Sequence, residues 1–187
     1  MIENYKEAFE KTRSAGIIAA GALDEVAKIA RPGIRTEQID NLCYEYLNDH
    51  GAFSAPLFYR GFPKSCCTST NHIVCHGIPS DKILRDGDIV NVDVTAIKDG
   101  WHGDTSKTFK IGEVSIKANK LVETTYEAMM KAIEIIKEGI FANNKLKNVT
   151  IPNGVTVIGS LAFECNQLTE ITLPNSLTCI GAGSFNR

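Results

Sequence analysis

Asn91-Val92-Asp93-Val94-Thr95-Ala96-Ile97-Lys98-Asp99-Gly100-Trp101-His102-Gly103-Asp104-Thr105-Ser106 is built around an Asp-Gly pair. Such a pair between two strand-like runs signals a hairpin closed by a two-residue turn. In that register Lys98 faces Trp101, Thr95 faces Asp104 and Asp93 faces Ser106. Side chains alternate along a strand, so Asp93 and Asp104 share one face as diagonal neighbours, with Cα atoms about 7–8 Å apart. Two carboxylates at that separation can converge on one divalent metal ion, or on two. A one-residue change in the turn would send them to opposite faces, so turn and site stand or fall together.

Outward from the hairpin, Tyr5 to Ala30 reads as an alanine-rich helix stopped by Arg31-Pro32-Gly33. Gly16 and Gly21 interrupt it and mark close packing against another element. Thr36 is the expected N-cap of a second helix, which has Glu37 in its first turn and carries Ile39, Leu42, Tyr46 and Leu47. Asn48-Asp49-His50-Gly51 ends it. After a loop through Pro56 and Pro63, short strands are expected between turns at Ser80-Asp81-Lys82 and Arg85-Asp86-Gly87-Asp88. Asp86 and Asp88 read as turn formers. Thr95 reads as a strand-pairing or supporting neighbour of Asp93, and His102 as structural or solvated. A third helix is expected from Lys117 to Lys137, capped by Gly139. Its stripe of Val122, Tyr126, Met129, Ile133 and Ile136 has helical spacing and reads as core.

The chain has 187 residues, which suggests one ordinary domain or a domain with a small appendage. A net charge of -2 gives no reason to expect nucleic acid or an anionic membrane as a partner. No apolar run approaches the roughly 20 residues needed to span a bilayer. The opening Met1-Ile2-Glu3-Asn4-Tyr5-Lys6-Glu7 is acidic and polar, unlike a secretory signal. The six cysteines (Cys43, Cys66, Cys67, Cys75, Cys165, Cys179) show no CxxC or zinc-ribbon spacing. They read as reduced thiols in the cytoplasm, most of them small buried hydrophobes.

Beyond Gly139 the character of the sequence changes. Residues 144–165 and 166–187 are two copies of one unit offset by 22 positions. Leu146 matches Leu168, Thr150 matches Thr172, and Pro152-Asn153 matches Pro174-Asn175. Thr156 matches Thr178, Ile158-Gly159 matches Ile180-Gly181, and Phe163 matches Phe185. Each copy holds a short strand (Val149-Thr150-Ile151 in the first), a Pro-Asn turn and a second apolar stretch. This is the pattern of a solenoid turn, which must stack on neighbours to bury its apolar face. The expected division is 1–139 and 140–187.

Several motifs carry a family resemblance. Gly61-Phe62-Pro63-Lys64-Ser65 is followed by Asn71-His72-Ile73-Val74-Cys75-His76-Gly77-Ile78-Pro79, then Gly87-Asp88-Ile89-Val90-Asn91-Val92-Asp93 and Asp99-Gly100-Trp101-His102-Gly103-Asp104-Thr105-Ser106. In order, spacing and identity this closely resembles type I methionine aminopeptidases over roughly residues 5 to 138. The tail, with Ala162-Phe163, Cys165 and Leu168, resembles the leucine-rich repeats of bacterial BspA-type surface proteins.

The first resemblance implies an α/β fold, a partial pita-bread (creatinase/aminopeptidase) half-domain with a curved antiparallel sheet and helices; the short β-rich leucine-rich-repeat tail follows it. It also implies two divalent metal ions (Co, Mn, Fe or Zn) per complete site and removal of N-terminal methionine from nascent peptides. Paired ions can bind the amine, polarise the carbonyl and activate a bridging water. By that resemblance Asp93 and Asp104 are metal ligands, Asp104 bridging the ions. His76 contacts the scissile amide. Tyr59, Phe62 and Cys67 line the methionine pocket, with His76 also touching substrate.

The match then stops. The family's remaining ligands are one histidine and two glutamates, and no histidine follows His102. Two of five expected ligands are present, so the isolated chain is expected to be inactive. The alternative is a non-catalytic truncated fusion that acts as a repeat-mediated binding protein. A lone lobe would also expose a sheet edge and an apolar face. A partner polypeptide, a second copy or the repeat could cover them.

Overall fold

The hairpin forms in the expected register. Strands β3 (Ile89–Lys98) and β4 (Trp101–Lys110) pair antiparallel with Lys98 opposite Trp101, Thr95 opposite Asp104 and Asp93 opposite Ser106. Asp99 (φ 50°) and Gly100 (φ 81°) both take left-handed backbone, as a turn matched to strand twist requires. The computed structural model describes residues 5–133, 135–136 and 139–186. The chain divides into two units, Met1–Lys120 and Leu121–Arg187.

In the first unit β1 (Phe53–Ser54) and β2 (Cys67–Thr70) lie along one edge of β3, and β4 lies along the other, all antiparallel. Alternation sends Val90, Val92, Val94 and Ala96 to one face, where they are buried. Helices α1 (Tyr5–Ile29) and α2 (Thr36–Asp49) cover that face. Ile18, Ala19, Ala22, Leu23 and Val26 of α1, with Ile39, Cys43 and Leu47 of α2, complete the core. Each large apolar side chain buried here contributes about 1.5–3 kcal/mol. Of the two glycines expected to mark close packing, Gly21 does so, whereas a Cβ on Gly16 would meet nothing within 4 Å; the tight approach to α1 comes instead from Gly103. A Cβ on Gly103 would run into the α1 backbone at Ala15 and Gly16, and one on Gly21 would meet the Tyr46 hydroxyl.

Four local expectations are corrected. The N-cap of α2 is Arg35, whose N–H donates to Gln38 Oε1 at 2.9 Å. Thr36 lies within the helix, and its buried hydroxyl exchanges hydrogen bonds with the backbone of Ser80. The far end of α2 receives Lys98, whose ammonium donates to the carbonyls of His50 and Gly51, each at 3.0 Å. Residues 71–88 form turns and loop with one isolated bridge, Arg35 to Ile83, because their polar groups bond to side chains and to the backbone of residues 33–37 rather than along a continuous strand ladder. Asp88 accepts from Arg85 N and Asn71 Nδ2, and Asp86 from Glu113 N. The third correction concerns α3, which runs Ile116–Ile133 and has no buried residue; Lys137 lies outside the described residues. Tyr126, Met129 and Ile133 are exposed, so helical spacing there does not denote core. Gly139 accordingly caps no helix, and its N–H donates to Ser160 O. The fourth is cysteine burial: Cys43, Cys66 and Cys67 are buried, whereas Cys75, Cys165 and Cys179 are exposed, and all are free thiols.

The second unit is a solenoid of parallel strands with the expected 22-residue offset. β6 (Asn148–Thr150) pairs with β8 (Glu170–Thr172), and β7 (Val157–Ile158) with β9 (Cys179–Ile180). A rung precedes the two expected copies: β5 (Ile135–Ile136) pairs with β7, Ile135 opposite Val157. The Phe141, Phe163 and Phe185 rings stack at 5.0 and 5.6 Å. The buried Asn166 ties the rungs together, donating to Phe141 O and Phe163 O and accepting from Leu146 N. Ile151, Val155, Ile158, Ala162 and Phe163 form its core.

Candidate active site

The sheet face opposite the helices carries the odd-numbered side chains of β3. Asp93 and Asp104 therefore sit on this outer face, as the turn dictates. The Thr95 hydroxyl donates to Asp104 Oδ1 at 2.8 Å, which fixes one oxygen of that carboxylate. Cys67 pairs with Asp93 across β2 and β3, so its side chain joins the same face.

Two loops bring the rest. Gly77 N–H donates to Ser69 Oγ at 3.1 Å, and Gly77 O accepts from Thr68 N at 2.7 Å. A Cβ on Gly77 would strike the Thr68 backbone, so the loop lies flat on β2 and holds His76 over the site. The other loop folds into a single 3-10 turn, Tyr59–Gly61, closed by bonds from Tyr59 N to Pro56 O and from Phe58 N to Phe62 O. It is anchored downstream by the buried Asp40 carboxylate, which accepts from Ser65 N (2.7 Å) and Cys66 N (3.1 Å) and pairs with Lys64 at 3.6 Å.

Together these elements line one cavity of about 690 Å³. Tyr59, Phe62, Cys67, His76, Asp93 and Asp104 all face it. Sequence reasoning missed Arg60, Pro56 and Ile78 in the same lining, and Asp40, which anchors one of its loops. Arg60 had a signal, since it sits between two residues already assigned to the pocket. His102 is exposed and outside the lining.

Burial, and then the Asp104 charge, raise the Asp93 carboxyl above its ordinary value, while the nearby His76 pulls the other way. Burial foremost, then the Asp93 charge, Cys75 and the Asp104 and Asp40 charges, push the Cys67 thiol up to about 11. It is therefore a protonated, apolar wall at neutral pH. Among the described residues no group of three or more His, Cys, Asp or Glu side chains gathers where a metal ion could bind. A pair of hard divalent ions needs many oxygen and nitrogen donors, and two carboxylates do not fit that demand.

Residues 10–148 match the model of metallopeptidase family M24. The chain is 52% identical over 131 residues to a methionine aminopeptidase of Rickettsia prowazekii, covering 70% of this chain and 51% of that protein. It is 48% identical over 136 residues to one of Escherichia coli K12, covering 72% and 52%. The crystal structure of methionine aminopeptidase from Thermotoga maritima superimposes with a TM-score of 0.69 at 36% identity, covering 74% of this chain and 55% of that one. The chain thus spans about half the length of the relatives it matches. Its first unit has the pita-bread α/β fold, with helices on one face of an antiparallel sheet. The matched motifs are the ones that build the cavity, and the chain belongs to metallopeptidase family M24, its relatives at about half identity being methionine aminopeptidases.

Proposed function

We propose that the cavity binds the amino end of a peptide beginning with methionine, and that residues 5–186 supply half of a methionine-removing hydrolase. The observation that carries this is the gathering of Asp93, Asp104, His76, Tyr59, Phe62 and Cys67 around one cavity. In this reading Asp93 and Asp104 face the terminal ammonium, and Tyr59, Phe62 and the protonated Cys67 contact the thioether side chain. His76 reaches the first peptide carbonyl as a hydrogen-bond donor. Asp93 and Asp104 are also the metal ligands that the chain retains. Turnover in the cytoplasm would need further donors, one histidine and two glutamates, from outside these residues. The tail, a BspA-like leucine-rich repeat, is a protein-binding module after the peptidase lobe of residues 1–139.

The test is an assay of methionine release from Met-Ala-Ser with excess cobalt or manganese, run beside calorimetric binding of the same peptide. Binding without turnover is expected, and Asp104→Ala should abolish that binding. Metal-dependent turnover lost in Asp104→Ala would overturn the inactive reading. The second reading, a repeat-mediated binding protein with no use for the cavity, is favoured by the ordered stacking of the rungs. It would be supported by a cavity that binds no peptide.

A further inference from the structure

We propose that Asn153 is a site of spontaneous deamidation, and that Ser176 of the following rung holds the reaction in check. The proposal is independent of what the cavity binds. Asn153-Gly154 is the one Asn-Gly pair in the sequence. Both residues are exposed in the turn after Pro152, where Val155 N donates to Pro152 O and Gly154 takes φ 99°. Among the described residues the Asn153 side chain has no hydrogen-bond partner, so its amide is free to fold back on the chain.

In the reaction, base removes the Gly154 backbone proton and the nitrogen attacks Cγ of Asn153. The Cγ–N bond of the side-chain amide breaks, and ammonia leaves with a proton in place of the one lost. Water then opens the succinimide at either carbonyl, giving aspartate or isoaspartate. Water is consumed, ammonia is released and no oxidant is needed. Glycine favours the attack because no Cβ crowds the nitrogen.

The Gly154 N–H is not free, however. It donates to Ser176 Oγ at 3.1 Å, and that hydroxyl donates to Val155 O at 2.9 Å. The nucleophile is therefore held by a side chain 22 positions away, in the next rung. It is released when that rung lifts off, a local opening rather than global unfolding. The equivalent turn one repeat later has Asn175 followed by Ser176, whose Cβ shields the attacking nitrogen. Of two matching turns, only the first is reactive. Its product adds a negative charge and, as isoaspartate, an extra backbone carbon where the rungs are tied together.

The test incubates the full chain at mildly alkaline pH. Asn153 and Asn175 are followed by peptide mass spectrometry and by labelling with an isoaspartyl methyltransferase. Asn153 should convert several-fold faster than Asn175. Ser176→Ala removes one ordinary hydrogen bond and should speed conversion at Asn153 about two- to tenfold. Ser184→Ala removes a different bond between rungs, from Ser184 Oγ to Gly159 O, and should leave the rate near that of the unsubstituted chain. In concentrated urea the unsubstituted chain and Ser176→Ala should converge, because the stack is gone. Four results overturn the proposal: Asn175 converting as fast as Asn153, no acceleration in Ser176→Ala, equal acceleration in Ser184→Ala, or a difference that persists in urea.

Discussion

The β3–β4 hairpin and the segment from α3 into β5 both carry apolar residues at regular spacing, yet only the first behaves as its pattern suggests. In the hairpin the alternation has a partner fixed by covalent proximity. The turn sets the register, and the register sets which side chains meet the helices. In α3 the spacing of Tyr126, Met129 and Ile133 is helical, but these residues remain exposed. Past Ile133 the chain leaves the helix for the first rung of the solenoid. Periodicity tells a residue which face of an element it occupies. It does not say whether anything covers that face.

The comparison can be broken most forcefully at Gly103. Valine there has to displace the α1 backbone rather than a side chain, and the expected loss is about 3 kcal/mol or more in urea unfolding of the first unit. A mild effect would mean that α1 is not seated on the hairpin. The next largest effect belongs to the rungs. Ile158 is fully buried and Ile180 is 47% exposed at the equivalent position one repeat later. Ile158→Ala should cost about 2–5 kcal/mol, Ile180→Ala far less, read by thermal circular dichroism. Equal losses would show that the last rung is covered in solution.

Asp40→Ala follows. It leaves the N–H groups of Ser65 and Cys66 without an acceptor and should destabilise the first unit by about 1–3 kcal/mol. The smallest effect is at Asp93. The folded chain holds this proton more tightly than the unfolded chain does, because burial and Asp104 oppose ionisation. Stability contributed by the protonated form is present below the ordinary value of 3.8 and lost as pH rises through the raised one. Asp93→Asn should flatten that part of the pH–stability profile and raise the Tm slightly at neutral pH. A lowered Tm would contradict the burial account.

The hairpin register was legible because it depends on local turn chemistry, and the six residues named for the site, which line one cavity, were picked out by a dense motif. The 22-residue period was equally plain, but its first rung was not. Phe141 stands 22 positions before Phe163, and that match is visible in the sequence. The helical spacing through Ile133 and Ile136 claimed the same residues for α3. Arg60 and Asp40 escaped for a different reason. Arg60 lay unread between Tyr59 and Phe62, both assigned to the pocket, and Asp40 reaches backbone 25 residues away. Exposed Cys75, Cys165 and Cys179 show the same weakness, since a residue type carries no information about its neighbours.

The uniform offset between Ile135, Val157 and Cys179 also has a consequence for how this protein could lengthen. Because these strands meet in the same parallel register from one layer to the next, duplicating one 22-residue block would add a storey about 4.8 Å tall. Growth at that end is a matter of copying, whereas any insertion between Asp93 and Asp104 would scramble the chemistry.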